Sequence, residues 1–183
     1  MEKKNIKKLI KKDKENLFNM TCKRNRGIYL YYMITRNQHY LYYKIKKISR
    51  VRNYLRKNRT FLNKILLCFY DIRYNALSRK INVYLGGEFG ENLRICHQNV
   101  LVSEFSKMGD NVVLHGNNCI GNGANGKKES ATIGNNVNVG YGTTIIGDVK
   151  IANNIKIGAN SLVNKSFLEE GIVIAGVPAK KIK

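Results

Sequence analysis

The sequence predicts a mainly β chain: a parallel β-helix built from six-residue repeats, preceded by a helical region. Three observations predict it. Aliphatic residues recur every six positions through "VGYGTTIIGDVKIANNIKIG", at Val139, Ile145, Ile151 and Ile157, and Ile133 and Val163 continue the beat on either side. Gly, Asn, Ala, Ser and Thr fill most of the intervening positions. The first 80 residues, by contrast, hold no Pro and a single Gly, Gly27, so little there punctuates a helix.

A period of six matches neither the 3.6 of a helix nor the two of a strand. A unit so short buries nothing alone and must stack on copies of itself. Each hexad then supplies a brief extended run with one aliphatic pointing inward, and a polar turn where Gly or Asn accepts positive φ. Three hexads close one coil, so positions 18 apart lie above one another: Ile133 under Ile151, Val139 under Ile157. At roughly 1.5–3 kcal/mol per buried aliphatic side chain, such columns form the core.

The phase runs backwards through Ile120, Leu114 and Met108 and, after one extra residue, through Leu101, Ile95, Phe89 and Val83. A second interruption is "NGANGKKESAT", residues 122–132, where 13 residues separate Ile120 from Ile133 and the midpoint aliphatic is missing. It reads as a loop extruded from the coil, either functional or a solvated turn.

Charge divides the chain. Residues 1–80 carry 23 Lys+Arg against 4 Asp+Glu, and 9 of the 11 tyrosines; residues 81–183 are nearly neutral, with 10 against 8. The predicted domains are therefore a basic, Tyr-rich region, 1–80, of two or three helices after a frayed lysine-rich start, and a β-helix, 81–183. Three readings of the basic region stay open. It is a solvated cap with an aromatic packing side, a face lying on an anionic membrane, or a nucleic-acid patch, the last the least favoured. Its uncharged runs are too short to span a bilayer, and "MEKKNIKKLIKKDKEN" has charges where a leader needs an apolar stretch. Cys22, Cys68, Cys96 and Cys119 lack metal-ligand spacing and are expected as free thiols in a reducing cytoplasm.

Residues 89–122, "FGENLRICHQNVLVSEFSKMGDNVVLHGNNCIGN", with the hexads and the terminal "IAGVPAKKIK", resemble the serine acetyltransferase group of hexapeptide acyltransferases, and more closely the bacterial polysaccharide O-acetyltransferases. The resemblance covers about residues 81–183. It implies a left-handed parallel β-helix, a homotrimer, and acetyl-CoA as acetyl donor at clefts between subunits.

The family's catalytic histidine falls on His97, as general base toward an acceptor hydroxyl. From the residues alone, a histidine two positions after an inward Ile95 sits near a coil corner, where a surface role is the ordinary expectation. His115 is expected close to the corner above His97 and is an accessory candidate. His39 lies in the helical region and is read as structural. By carry-over, Gly121 and Asn122 flank the thioester, Tyr141 and Ala159 line the pantetheine arm, and Lys180 and Lys181 meet phosphates. Zinc is set aside, since a catalytic site wants three protein ligands and no close histidine pair occurs. Cys96 is a thiol beside the base, but direct transfer is the simpler chemistry.

Two departures bear on the acceptor. The aspartate that orients the catalytic histidine is replaced by Asn82, which brings no charge; Glu88 or Glu104 are the candidate substitutes. The loop histidine that meets the amino-acid substrate is replaced by Ser130. The expectation is thus transfer from acetyl-CoA to a hydroxyl of a bacterial surface-polysaccharide sugar or its lipid-linked precursor, in the cytoplasm and at the inner membrane face. The alternatives are serine O-acetylation for cysteine synthesis and a non-catalytic basic binding module.

Overall fold

The computed structural model describes residues 3–21, 26–35, 37–123 and 128–183. Cys22 and residues 124–127, the middle of the expected loop, lie outside them. The chain divides into two compact units, 1–81 and 82–183.

The first unit is four helices: α1 (Lys3–Thr21), α2 (Arg26–Ile34), α3 (Gln38–Lys57) and α4 (Phe61–Ile81). Two features were not expected. The lysine-rich start is helical, because Ile6, Leu9, Asp13 and Leu17 repeat at three and four residues and form one buried stripe. The breaks flanking α3 use asparagines rather than Gly or Pro: Asn37 Oδ1 accepts from the His39 amide at 3.0 Å, and the Asn58 amide donates to the Tyr54 carbonyl. His39 itself is exposed at that cap. The interior is polar for a helical unit. Asp13, fully buried, takes Arg50 Nε at 2.8 Å and Lys46 Nζ at 3.4 Å. Arg52 reaches Asp71 at 2.6 Å and stacks over Tyr74, 3.7 Å from its ring centre. Among the described residues no helix is long and apolar enough to cross a membrane.

The second unit is a coil of three parallel walls. The first holds β1 (Val83–Leu85), β4 (Val100–Val102), β7 (Asn118–Gly121), β10 (Thr144–Ile146) and β13 (Leu162–Val163). The second holds β2 (Glu88–Phe89), β5 (Lys107–Met108), β8 (Thr132–Ile133) and β11 (Lys150–Ile151). The third holds β3 (Arg94–Ile95), β6 (Val113–Leu114), β9 (Asn138–Val139), β12 (Lys156–Ile157) and β14 (Val173–Gly176), closed by β15 (Ala179–Lys181), which returns antiparallel. Wall neighbours as far as β13 are three strands apart in sequence, which is the three-hexad coil; in the last turn the second wall adds only the Ile151–Phe167 bridge, so β14 follows β12. Ile133 pairs with Ile151, Val139 with Ile157 and Ile145 with Val163, all buried.

Leu101 is the misphased residue. It is 49% exposed, while Val100 and Val102 point inward; Val102 stacks on Ile120 and continues the six-residue beat of Met108, Leu114 and Ile120. The extra residue lies earlier. Ile95 pairs with Leu114 and Val100 with Asn118, so the chain takes five steps around the corner at 96–99 where the next rung takes four. His97 sits on that lengthened corner. The loop is also larger than its count suggests: Ile133 stacks on Met108, directly on the second wall, so a corner that takes six residues from Val102 to Met108 takes 13 from Ile120 to Ile133.

Asparagines build the corner between the second and third walls. Asn92, Asn111, Asn136 and Asn154 all have φ of 56–61° and pass hydrogen bonds up the stack at 3.0, 2.9 and 3.0 Å. Asparagine tolerates the left-handed region, and its amide both donates and accepts, so a column of them satisfies itself.

Candidate active site

The expected site residues separate onto two neighbouring corners. His97, His115, Tyr141 and Ala159 lie on the corner leading from the third wall into the first. Glu104, Gly121, Asn122 and Ser130 lie on the corner leading from the first wall into the second. A three-residue strand, roughly 10 Å long, separates the two corners.

On the first corner His97 is exposed and makes no hydrogen bond among the described residues. Its contact is aromatic. The Tyr141 ring, two rungs up, meets it edge-on with centroids 6.4 Å apart and planes at 74°. The rung between them presents Gly116, at φ 110°, where a Cβ would fall 2.6 Å from His97 Cβ. The missing side chain is what lets the two rings lean together. Gly116→Ala is accordingly expected to cost about 1–3 kcal/mol through backbone strain and to part the rings. Chemical denaturation reads the first effect, and the His97 ring resonances read the second. The sequence carried no periodic signal for Gly116, and Tyr141 was expected against a cofactor arm rather than against the base.

His115 does not sit squarely above His97. Its rung partner through the strand register is Cys96, and Gly116 takes the place over His97. Above His115 the corner shrinks to small residues: Gly140, then Gly158, where a Cβ would fall 2.8 Å from Ala175 Cβ. At about 4.8 Å per rung, this column of positions runs roughly 19 Å from the rung of His97 to Ala175. Lys180 pairs with Ala175 at its far end and is exposed. These residues fit an extended thiol-bearing arm ending in phosphate. Lys181 stands next to it, with its Nζ on Glu169 at 2.6 and 2.8 Å in an exposed ion pair.

Three further expectations change. Asn82, expected to orient His97, has φ 52° and donates its amide to Asn99 Oδ1, so it is the lowest rung of an asparagine corner. Glu104 stands on the other corner, beyond β4 from His97. Ser130 is 4% exposed and turns into the coil, with its hydroxyl 2.9 Å from Ser106 Oγ and donating to the Gly121 carbonyl at 3.0 Å. It ties the end of the loop to the wall. Asn122 is similarly engaged, with its Oδ1 on the Ser103 hydroxyl. Among the described residues no three His, Cys, Asp or Glu side chains gather as a metal site. Burial raises the Cys119 pKa, which keeps that thiol protonated and unreactive.

A coil of stacked hexads behind N-terminal helices defines a class of fold, and known proteins share it. The chain is 35% identical over 105 residues to a serine acetyltransferase of Staphylococcus epidermidis, a match covering 56% of this chain and 49% of that protein. A serine acetyltransferase of Staphylococcus aureus is 34% identical over the same length and share. The chain thus spans about half the length of the curated relatives it matches. Soybean serine acetyltransferase superposes with a TM-score of 0.75 at 22% identity, over 97% of this chain and 69% of that one. The Brucella abortus serine acetyltransferase solved with coenzyme A superposes with a TM-score of 0.72 at 19% identity, over 98% and 68%. No protein-family model matches. The fold is the left-handed β-helix with N-terminal helices that these enzymes have, and the chain is similar to serine acetyltransferases within the hexapeptide-repeat acyltransferases.

Proposed function

We propose that this chain is an acetyl-CoA-dependent O-acetyltransferase acting at the His97 corner. One observation supports the reading: His97, on the corner that among the described residues is the only one into the first wall lengthened by a residue, stands at the foot of a column of small residues that ends beside Lys180. The acetyl donor supplies an activated thioester when bound. Gly140, Gly158 and Ala175 put no large side chain on this face of the coil, so an extended arm can lie along its surface, and Lys180 offers a cation to its phosphates. His97 takes the proton of the acceptor hydroxyl as that oxygen bonds to the acetyl carbon, and returns it to the departing sulfur. The edge of Tyr141 limits how far the imidazole can swing. A trimer, implied by the resemblance, would wall the exposed corner with a neighbouring coil and exclude water from it.

L-Serine is the acceptor that the names of the similar proteins suggest. A sugar hydroxyl is the second reading, and a specific observation favours it. The position to which the resemblance assigns a substrate-meeting histidine is here Ser130, turned inward. A sugar carried on a lipid would bring the enzyme to the inner face of a membrane. Incubation of the full chain with acetyl-CoA and a panel of L-serine and polysaccharide fragments, followed by mass spectrometry, decides the acceptor. Acetylserine supports the first reading, and an acetylated sugar supports the second. Neither product, from a folded protein that binds acetyl-CoA, contradicts both.

A further inference from the structure

The helical unit contains a second candidate site, built from residues that take no part in the acyl-transfer corner. Between α3 and α4 runs an open groove of about 490 Å³. Lys44, Lys47, Arg73 and Lys80 stand around it, and Tyr43 and Tyr70 contribute to its lining. Two of the cations lie over aromatic rings: Lys44 Nζ is 5.1 Å from the Tyr40 centroid and Arg73 Cζ 5.4 Å from that of Phe69.

No carboxylate answers these four charges among the described residues. The unit's described acids are all engaged elsewhere, Asp13 with Lys46 and Arg50, Asp71 with Arg52 and Arg56, and Glu15 with Lys11. A groove with four unanswered cations and an aromatic lining is complementary to a phosphate attached to something apolar. The same helix also carries an uncovered apolar row. Phe61, Leu62, Leu66, Phe69 and Ile72 are 47–78% exposed, and Phe69, under Arg73, joins the row to the groove.

We propose that α3 and α4 dock on an anionic phospholipid surface, with headgroup phosphates in the Lys44/Lys47/Arg73/Lys80 groove and the α4 row among the acyl chains. The two halves of the surface choose this occupant together. Free phosphate or a nucleic acid answers the cations and leaves the apolar row in water. A second copy meeting this face with its own covers the row but sets the same cations against one another, because the described acids of that unit are already paired. A bilayer surface places phosphates and hydrocarbon side by side, as an amphipathic basic helix requires.

The test is sedimentation of the full chain with vesicles of phosphatidylcholine, with and without phosphatidylglycerol. The wild type is expected to sediment only with the phosphatidylglycerol vesicles. K44Q/K47Q/K80Q is expected to lower that partitioning on the order of a hundredfold. The charge-matched K7Q/K8Q/K11Q, outside the groove, is expected to lower it much less. F61S/I72S changes two exposed residues without altering charge and is expected to weaken binding as well; circular dichroism checks that each variant is folded. Equal losses in the two lysine variants would overturn the groove and leave only net charge. Release by inorganic phosphate, with F61S/I72S unaffected, would assign the groove to a soluble phosphate instead. No sedimentation of the wild type, or a preference for duplex DNA over the vesicles, would also overturn the proposal.

Discussion

Asp13→Asn is expected to destabilise the helical unit by about 3–5 kcal/mol, the usual cost of removing one partner from a buried ion pair. Asp13 is fully buried, and the groups it neutralises, Arg50 and Lys46, are 2% and 8% exposed. The amide removes the charge and leaves two cations in the interior. Urea denaturation followed by the helical signal measures the loss. pH adds a signature. Burial lowers the Lys46 pKa below its ordinary 10.5, and Asp13 is the group that opposes this. Below the folded-state pKa the cost of the buried ammonium is present in full. As pH rises through that pKa toward 10.5, the folded state holds fewer protons than the unfolded one, so stability increases. Without Asp13 the folded pKa falls further and the window of recovery widens. The deficit of Asp13→Asn is therefore expected to narrow as pH is raised. A deficit that is constant with pH would mean that Lys46 is not a buried cation.

His97→Ala is expected to lower acetyl transfer by roughly 10²–10⁴-fold, the range for a positioned general base. Its fold and its affinity for acetyl-CoA are expected to persist, because His97 is exposed and hydrogen-bonded to nothing among the described residues. Steady-state kinetics separate the two effects: kcat falls while KM for the donor holds. A fall in donor affinity of the same size would instead make His97 a binding residue. Tyr141 is a positioning residue in this account, acting only through the imidazole, so Tyr141→Ala shares the direction of the effect with a smaller size.

The hexads from Ile133 to Val163 were legible because one aliphatic stands alone in each, and the wall pairs follow from counting 18. At "VLV" the count failed. Three adjacent aliphatics allow either phase, and the inserted residue lay at the His97 corner, where nothing aliphatic marks it. Helix α1 was hidden by its lysines, although Ile6, Leu9, Asp13 and Leu17 carry the period. The corner of His97 could be read from its spacing after Ile95, but its neighbours could not. Tyr141 reaches it across Gly116, a contact spanning two coils that depends on an absent side chain. Asn82 and Ser130 matched family positions by count. Their directions, toward Asn99 and into the coil, are set by local hydrogen bonds that no spacing encodes.

The measurement that bears most directly on the acyl-transfer site is an experimental structure of the full chain with coenzyme A. The thiol is expected within hydrogen-bonding reach of the His97 imidazole, the arm rising past Gly140 and Gly158, and a phosphate at Lys180. Coenzyme A bound along another corner, with its thiol remote from His97, would contradict that placement.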